Sequence, residues 1–258
     1  MQRKQSEWQW QWDRMYDDNT WLFHEWIAPN TIETFRGKEV LDCGCGAGHH
    51  LAYVAPYAAS VHGVDLNASS SAKAHTQRFP NVTVQEADIA TMDVGKQFDV
   101  VYCIGVIHHT DDPDATFRTI VKHCKPGGRV IIWGYSHEGN FLNRTLLEWV
   151  KRKALLKLPR RVSWLLAHTL TALLYVPIYS VYVLPLRSLP FYEYFQNWRR
   201  LSYMRNFLNV FDKLNAPQTW FLKRERLESW FDSAMFQDVH ISPYKGVSWR
   251  ASGTVRGR

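Results

Sequence analysis

Residues 40–48 read Val-Leu-Asp-Cys-Gly-Cys-Gly-Ala-Gly, an apolar stretch that ends in an acid and runs into a glycine loop. Glycines let a backbone approach a ligand closely and take positive φ. A tight strand-to-helix turn with no ligand would use the same residues, so the neighbours decide. The dinucleotide-binding pattern G-x-G-x-x-G would need its third glycine at position 49, where His49 stands. The spacing is G-x-G-x-G instead, preceded by Asp42. An acid beside the loop repels a pyrophosphate and suits a ligand that carries ammonium and sulfonium charge. Asp65, 19 residues after Gly46, stands where a carboxylate can accept from both hydroxyls of a ribose. Asp88 can accept from an adenine amino group, with Ile89 against the ring. Asp99 opens its strand rather than ending it, and reads as structural.

Positioning such groups requires a parallel sheet, because ligands of open α/β sheets bind at the carboxyl ends of the strands. From Glu39 to Tyr135 short apolar runs alternate with helix-length stretches, as in successive βαβ units. The predicted strands are 40–43, 60–65, 82–87, 98–104 and 129–135, and the predicted helices 48–57, 68–78 and 114–124. Asp112 before Pro113 is an N-cap signal, and Pro126-Gly127-Gly128 a turn. Residues 223–235 read as an amphipathic helix and 238–241 and 248–255 as closing strands. The chain has 258 residues, 46% hydrophobic and 21% charged, enough for one sizeable core or two small ones. Cys43, Cys45, Cys103 and Cys124 lack the spacing of a zinc site, and the N-terminus shows no signal-peptide apolar run. The expectation is a cytoplasmic chain with reduced thiols and no metal.

The strings VLDCGCGAGHH, GVDL, EADI, FDVVYCIGVIHHTDDP and KPGGRVIIW, in that order over residues 38–136, resemble the class I S-adenosylmethionine-dependent methyltransferases. The resemblance implies an α/β, Rossmann-like seven-stranded sheet whose last strand runs antiparallel, with S-adenosylmethionine as cofactor. It implies Asp42, Gly44, Gly46 and Gly48 around the methionine moiety, Asp65 with Leu66 at the ribose, Asp88 and Ile89 at the adenine, and Ile104 and Gly105 beside the cofactor. A methyl donor is already activated by its sulfonium, so the protein must hold the acceptor in line and remove a proton if the acceptor is a hydroxyl. His108 and His109 follow the fourth strand at that face, and either is a candidate base; the bland alternative is that they brace the loop. Asp111 and Asp112 read as capping groups, and His49 and His50 as packing. The leader, 1–37, carries Trp8, Trp10 and Trp12, which cover the cofactor, pack on the core or anchor at an interface.

What departs from the simplest members is the stretch 138–222, a mostly helical insertion between the core, 38–137, and its completion at 223–258. It holds 12 basic and 4 acidic residues, whereas 1–137 holds 12 and 16. A cationic run (Lys151, Arg152, Lys153, Lys157, Arg160, Arg161) precedes 25 residues, 162–186, without Asp, Glu, Lys or Arg. A single membrane span there would part residues 187–258 from the sheet, and Pro177 and Pro185 should break the run. A helix over 162–176 lying in an anionic membrane interface, or closing over the core as a lid, fits better. A stripe of Val162, Leu165, Leu166, Thr169, Leu170, Leu173 and Leu174 would bury itself there. A grip on RNA is disfavoured, because phosphate contacts need cations along the groove rather than beside an apolar helix. The expectation is methyl transfer to a small or lipid-linked acceptor, at oxygen. The alternatives are a tRNA methyltransferase and a non-catalytic S-adenosylmethionine-binding partner subunit.

Overall fold

A computed structural model of the chain describes Trp8, Trp10, Gln11 and residues 21–67 and 69–257. Trp12 and Ala68 lie outside the described residues. Seven strands form one sheet: β1 (Glu39–Cys43), β2 (Ser60–Asp65), β3 (Val82–Glu86), β4 (Phe98–Ile104), β5 (Cys124–Tyr135), β6 (Phe236–Tyr244) and β7 (Ser248–Val255), in the order β3-β2-β1-β4-β5-β7-β6. β1 to β5 pair in parallel and β7 runs antiparallel between β5 and β6. The Val-Ile-Leu-rich runs are buried on both faces, as the absence of polar alternation requires. Pro126-Gly127-Gly128 does not precede β5 but lies inside it, where the register against β4 shifts between Phe98 and Val100.

Helices α1 (Trp21–Ile27), α2 (His49–Val54) and α3 (Ser69–Thr76) cover one face of the sheet, and α4 (Pro113–Lys122) the other. Asp112 caps α4 by accepting from the amides of Asp114 and Ala115, a contact that contributes about 1 kcal/mol. Asp99 is structural: it accepts from the Glu39 amide at 2.8 Å and from Lys125 at 2.9 Å.

Between β5 and the last helix, residues 138–222 form a helical layer with its own core: α5 (Glu148–Lys153), α6 (Arg160–Ser180), α7 (Tyr192–Trp198) and α8 (Tyr203–Asn215). After it come α9 (Arg224–Trp230) and β6 and β7, which return to the sheet. The segment 218–222 ties this layer down, with the Trp220 amide donating to His108 O and the Leu222 amide to Tyr135 O.

Three expectations for this layer need correction. Helix α6 continues through Pro177 to Ser180: the proline forfeits its own amide bond and crowds the Leu173 carbonyl, yet helical bonding goes on with Val181 donating to Pro177 O. The apolar stripe is split rather than buried. Leu166, Leu170 and Leu174 pack on the helical core, but Val162, Leu165 (67% exposed) and Leu173 face outward with Val176 (68%), while Ser163, Ala167 and Thr171 are buried. α6 is long and apolar enough to cross a membrane by length and composition alone. Finally, Lys151 is not a surface cation: it is fully buried, paired with Glu148 and donating to Thr219 Oγ1 at 3.2 Å.

Candidate active site

β1 delivers the glycine loop to the carboxyl end of the sheet. Gly44 (φ 93°) and Gly48 (φ 82°) take the left-handed conformation that a side chain resists. A Cβ on Gly48 would also sit 3.0 Å from the Ala72 backbone, so this glycine sets the approach of α2 to α3. Asp65, at the end of β2, accepts from the Gly46 amide at 2.9 Å and from the Asn67 amide at 3.1 Å. Its carboxylate therefore shapes both the glycine loop and the turn that follows β2.

Asp42 is buried beneath the loop and accepts from the Tyr102 hydroxyl at 2.9 Å. Burial pushes its pKa up to about 8, and the nearby Asp65 carboxylate adds to the rise. The loop thus stands over two carboxyl groups whose charges oppose one another. A cationic ligand relieves that repulsion and an anionic one increases it, so the residues present fit a sulfonium or ammonium group.

The cleft above the loop is lined by Gly44 to Ala47, His49, His50, Ile104, Gly105, Val106 and His109. Trp8 of the leader lies on it, its ring 4.9 Å from that of His109, while Trp10 packs on Trp164 and Phe211 of the helical layer. Asp42, Gly48, Asp65, Leu66, Asp88 and Ile89 do not line this cleft; Asp88 is exposed and accepts from the Ala90 amide at 2.9 Å, and Ile89 is buried.

The two histidines are placed differently. His108 is fully buried, lies outside the cleft lining, and has neither ring nitrogen hydrogen-bonded among the described residues. Burial drives its pKa well below the usual value, so the ring is neutral. His109 lines the cleft. Its Nδ1 is 2.8 Å from the Gln218 carbonyl, which can only accept, so Nδ1 carries a proton. That Nε2 lies 3.7 Å from Asp212 Oδ2, which accepts from the Tyr135 hydroxyl at 2.9 Å. Tyr135 stays protonated, its pKa raised first by burial and then by Asp212.

Asp212, Tyr135 and Gln218 were not legible as site residues in the motifs. The signal for Asp212 lies in the spacing of α8, where Arg205, Asn209, Asp212 and Lys213 fall at i, i+4, i+7 and i+8 and so share one helix face. That face divides two spaces. Arg205, Asn209 and Asp212 border the glycine-loop cleft. Arg205, Asn209 and Lys213 border a second cavity of about 290 Å³, walled mainly by Leu22, Leu147, Leu170, Leu174, Phe195 and Trp198. The two spaces share Trp26, Trp133, Tyr135, Arg205 and Asn209 and so adjoin. Among the described residues no cluster of three or more His, Cys, Asp or Glu is placed to hold a metal ion.

Comparison with known proteins agrees with this geometry. A family described as a methyltransferase domain matches residues 41–130. Ubiquinone biosynthesis O-methyltransferase of Coxiella burnetii is 34% identical over 102 residues, covering 38% of this chain and 43% of the relative. The enzyme of that name from Pseudomonas fluorescens is 32% identical over 130 residues, 46% and 55% of the two chains. The chain thus spans about half the length of these curated relatives. Among solved structures, the DhpI complex with S-adenosylhomocysteine is 14% identical with a TM-score of 0.56, covering 100% of this chain and 97% of its own. The N-methyltransferase NodS from Bradyrhizobium japonicum, crystallised with S-adenosyl-L-homocysteine, is 11% identical with a TM-score of 0.52, covering 99% and 100%. These two show the fold. Residues 41–130 thus match a methyltransferase domain, and the seven-stranded sheet has the fold of class I S-adenosylmethionine-dependent methyltransferases.

Proposed function

We propose that the chain transfers a methyl group from S-adenosylmethionine to the oxygen of a small or lipid-linked acceptor. The observation that carries this reading is the junction of the two spaces: the glycine-loop cleft opens beside a cavity with mostly apolar walls, and they share Trp26, Trp133 and Tyr135. The name of the curated relatives, O-methyltransferases of ubiquinone biosynthesis, supports oxygen and an apolar acceptor.

In this reading Gly44, Gly46 and Gly48 admit the donor, Asp42 faces its ammonium end through the loop, Asp65 and Leu66 hold the ribose, Asp88 and Ile89 the adenine, and Ile104 and Gly105 flank it. When bound, S-adenosylmethionine supplies a methyl group activated by sulfonium charge. His109 Nε2 takes the acceptor's proton, and Asp212, 3.7 Å away, steadies the resulting imidazolium. Tyr135 and Gln218 hold Asp212 and His109 in register by their hydrogen bonds. His108, buried and neutral, packs under this loop and takes no part in proton transfer.

The helical layer, 138–222, is the lid over the acceptor and a reversible contact with an anionic membrane, placing a cytoplasmic protein at the inner face. Its outward side exposes Leu165, Leu173 and Val176 together with Phe141, Leu146 and Trp149. Arg152, Lys153, Lys157 and Arg161 lie exposed on the same layer. Each cation near such a surface adds on the order of 1 kcal/mol. Donor with a labelled methyl group, supplied to extract with the purified chain, should label the lipid or small-molecule fraction. Label that enters RNA, or no label at all beside measured donor binding, overturns the reading.

A further inference from the structure

The cavity next to the donor cleft has an electrostatic character that its apolar walls conceal. Its lining includes Lys213, Arg205 and Lys245 and, among the described residues, no Asp or Glu. Lys245 is offset by Glu25, 4.0 Å away. Lys213 has no such partner among the described residues: its Nζ donates to the Tyr194 hydroxyl at 2.9 Å and to Asn209 O at 3.3 Å, and lies over the rings of Tyr135 and Tyr194. The carboxylate next to it in sequence, Asp212, is engaged elsewhere, by Tyr135 and towards His109. An ammonium among aromatic and aliphatic walls is costly unless a counter-charge completes it.

A second set of groups points the same way. The indole nitrogens of Trp133 and Trp198 belong to lining residues that are 9% and 2% exposed, and neither has a hydrogen-bond partner among the described residues. An indole nitrogen can only donate, so both suit ligand oxygens. One buried lining group of the opposite kind, Asn197 Oδ1, is also unpartnered and suits a hydroxyl.

We infer that the acceptor is an anionic amphiphile, an apolar body bearing a carboxylate or phosphate that pairs with Lys213. This rests on the proposed transfer reading and sharpens it. Lys213 lines the acceptor cavity and not the donor cleft, so the group it holds is separate from the oxygen that is methylated. The charge therefore selects and orients the acceptor, leaving the reacting hydroxyl to His109.

The test is calorimetric titration of the full chain with octanoate, octyl phosphate, octanol and octyltrimethylammonium. Either anion should bind about tenfold or more tightly than octanol, the size of one charge-assisted hydrogen bond. Stronger binding of octanoate than of octyl phosphate, or the reverse, identifies which oxyanion the site takes. Lys213→Met should erase the preference and Lys213→Arg retain it; Lys213→Gln replaces the Met variant if that does not fold. Equal binding of octanol and both anions, or a preference that survives Lys213→Met, overturns the inference. S-adenosylhomocysteine titrated into the same samples reports on the donor reading separately. Its heat persisting while anion and alcohol bind alike overturns the anion site alone.

Discussion

The glycine loop after β1 and the helix α8 border the same cleft, and they hold their polar groups by different means. In the loop the placement is done by backbone: three glycines spaced by single residues, the Gly46 amide donated to Asp65, and an acid anchored by Tyr102. Little freedom is left, because each φ is one that only glycine takes readily. Along α8 the placement is done by side chains on one helix face, which are correct only if the helix is docked in the right rotation. Docking comes from Phe207, Phe211 and Leu214 against α6 and α7. Charge divides the same way, with acids under the loop and cations on the facing helix. A zwitterionic ligand on one side and an anionic one on the other can then be bound without competing for one site.

The largest effect expected on that division is at His109, which belongs to the sheet but is oriented by the helical layer through Gln218. His109→Ala should lower kcat by about 10²- to 10⁴-fold, the usual contribution of a positioned base. Initial rates over a pH series, with S-adenosylhomocysteine affinity measured alongside, check this. Turnover within a few-fold of the parent would reduce α8 to a wall. Asp212→Asn acts one step further away and should be milder, about tenfold in kcat. An unchanged kcat would separate Asp212 from His109 and leave it as the partner of Tyr135 alone.

How far each region could be read from the amino-acid sequence follows from the same contrast. The five strands from β1 to β5 and the order of the motifs were visible because buried parallel strands are continuous apolar runs and glycine loops have fixed spacing. His109 was visible by its position after β4. Asp212 was not, because a lone acid in a basic segment acquires meaning only once Tyr135 and His109 are seen beside it. The stripe on α6 misled for a related reason. Periodicity shows that apolar residues share a face, but not that the opposite, smaller face of Ser163, Ala167 and Thr171 packs more closely on α8. Pro177 misled because an internal proline weakens a helix without necessarily ending it.

That exposed face gives the next test of the division between the halves. If the helical layer faces a membrane and the sheet does not, the triple variant Leu165→Ser, Leu173→Ser, Val176→Ser should lose about tenfold in binding to anionic vesicles. Flotation with phosphatidylglycerol vesicles reads this directly. Exposed side chains contribute little to folding, so thermal stability should change only slightly. Vesicle binding that survives all three changes would place the contact elsewhere and remove the outward face of α6 from the proposed role.

The remaining test lies at Asp42, and it measures whether the loop senses the charge of its ligand. The pKa of Asp42 is raised from 3.8 to about 8, so between these values the folded chain holds a proton that the unfolded chain has lost. Stability is therefore highest below about pH 4 as far as this group is concerned, and falls as pH rises through the window to about 8. In the unliganded chain the melting temperature should decline across that range, and Asp42→Asn should flatten the decline. Ligand binding sharpens the point. A cation bound above the loop favours ionised Asp42, so binding S-adenosylmethionine at pH 7 should release protons, seen as a dependence of the binding heat on the ionisation enthalpy of the buffer. Asp42→Asn should abolish the release. A release that persists in that variant would mean that the acid fixes Tyr102 and the strand end without meeting the ligand's charge, and the electrostatic contrast between loop and helix would then rest on Asp65 alone.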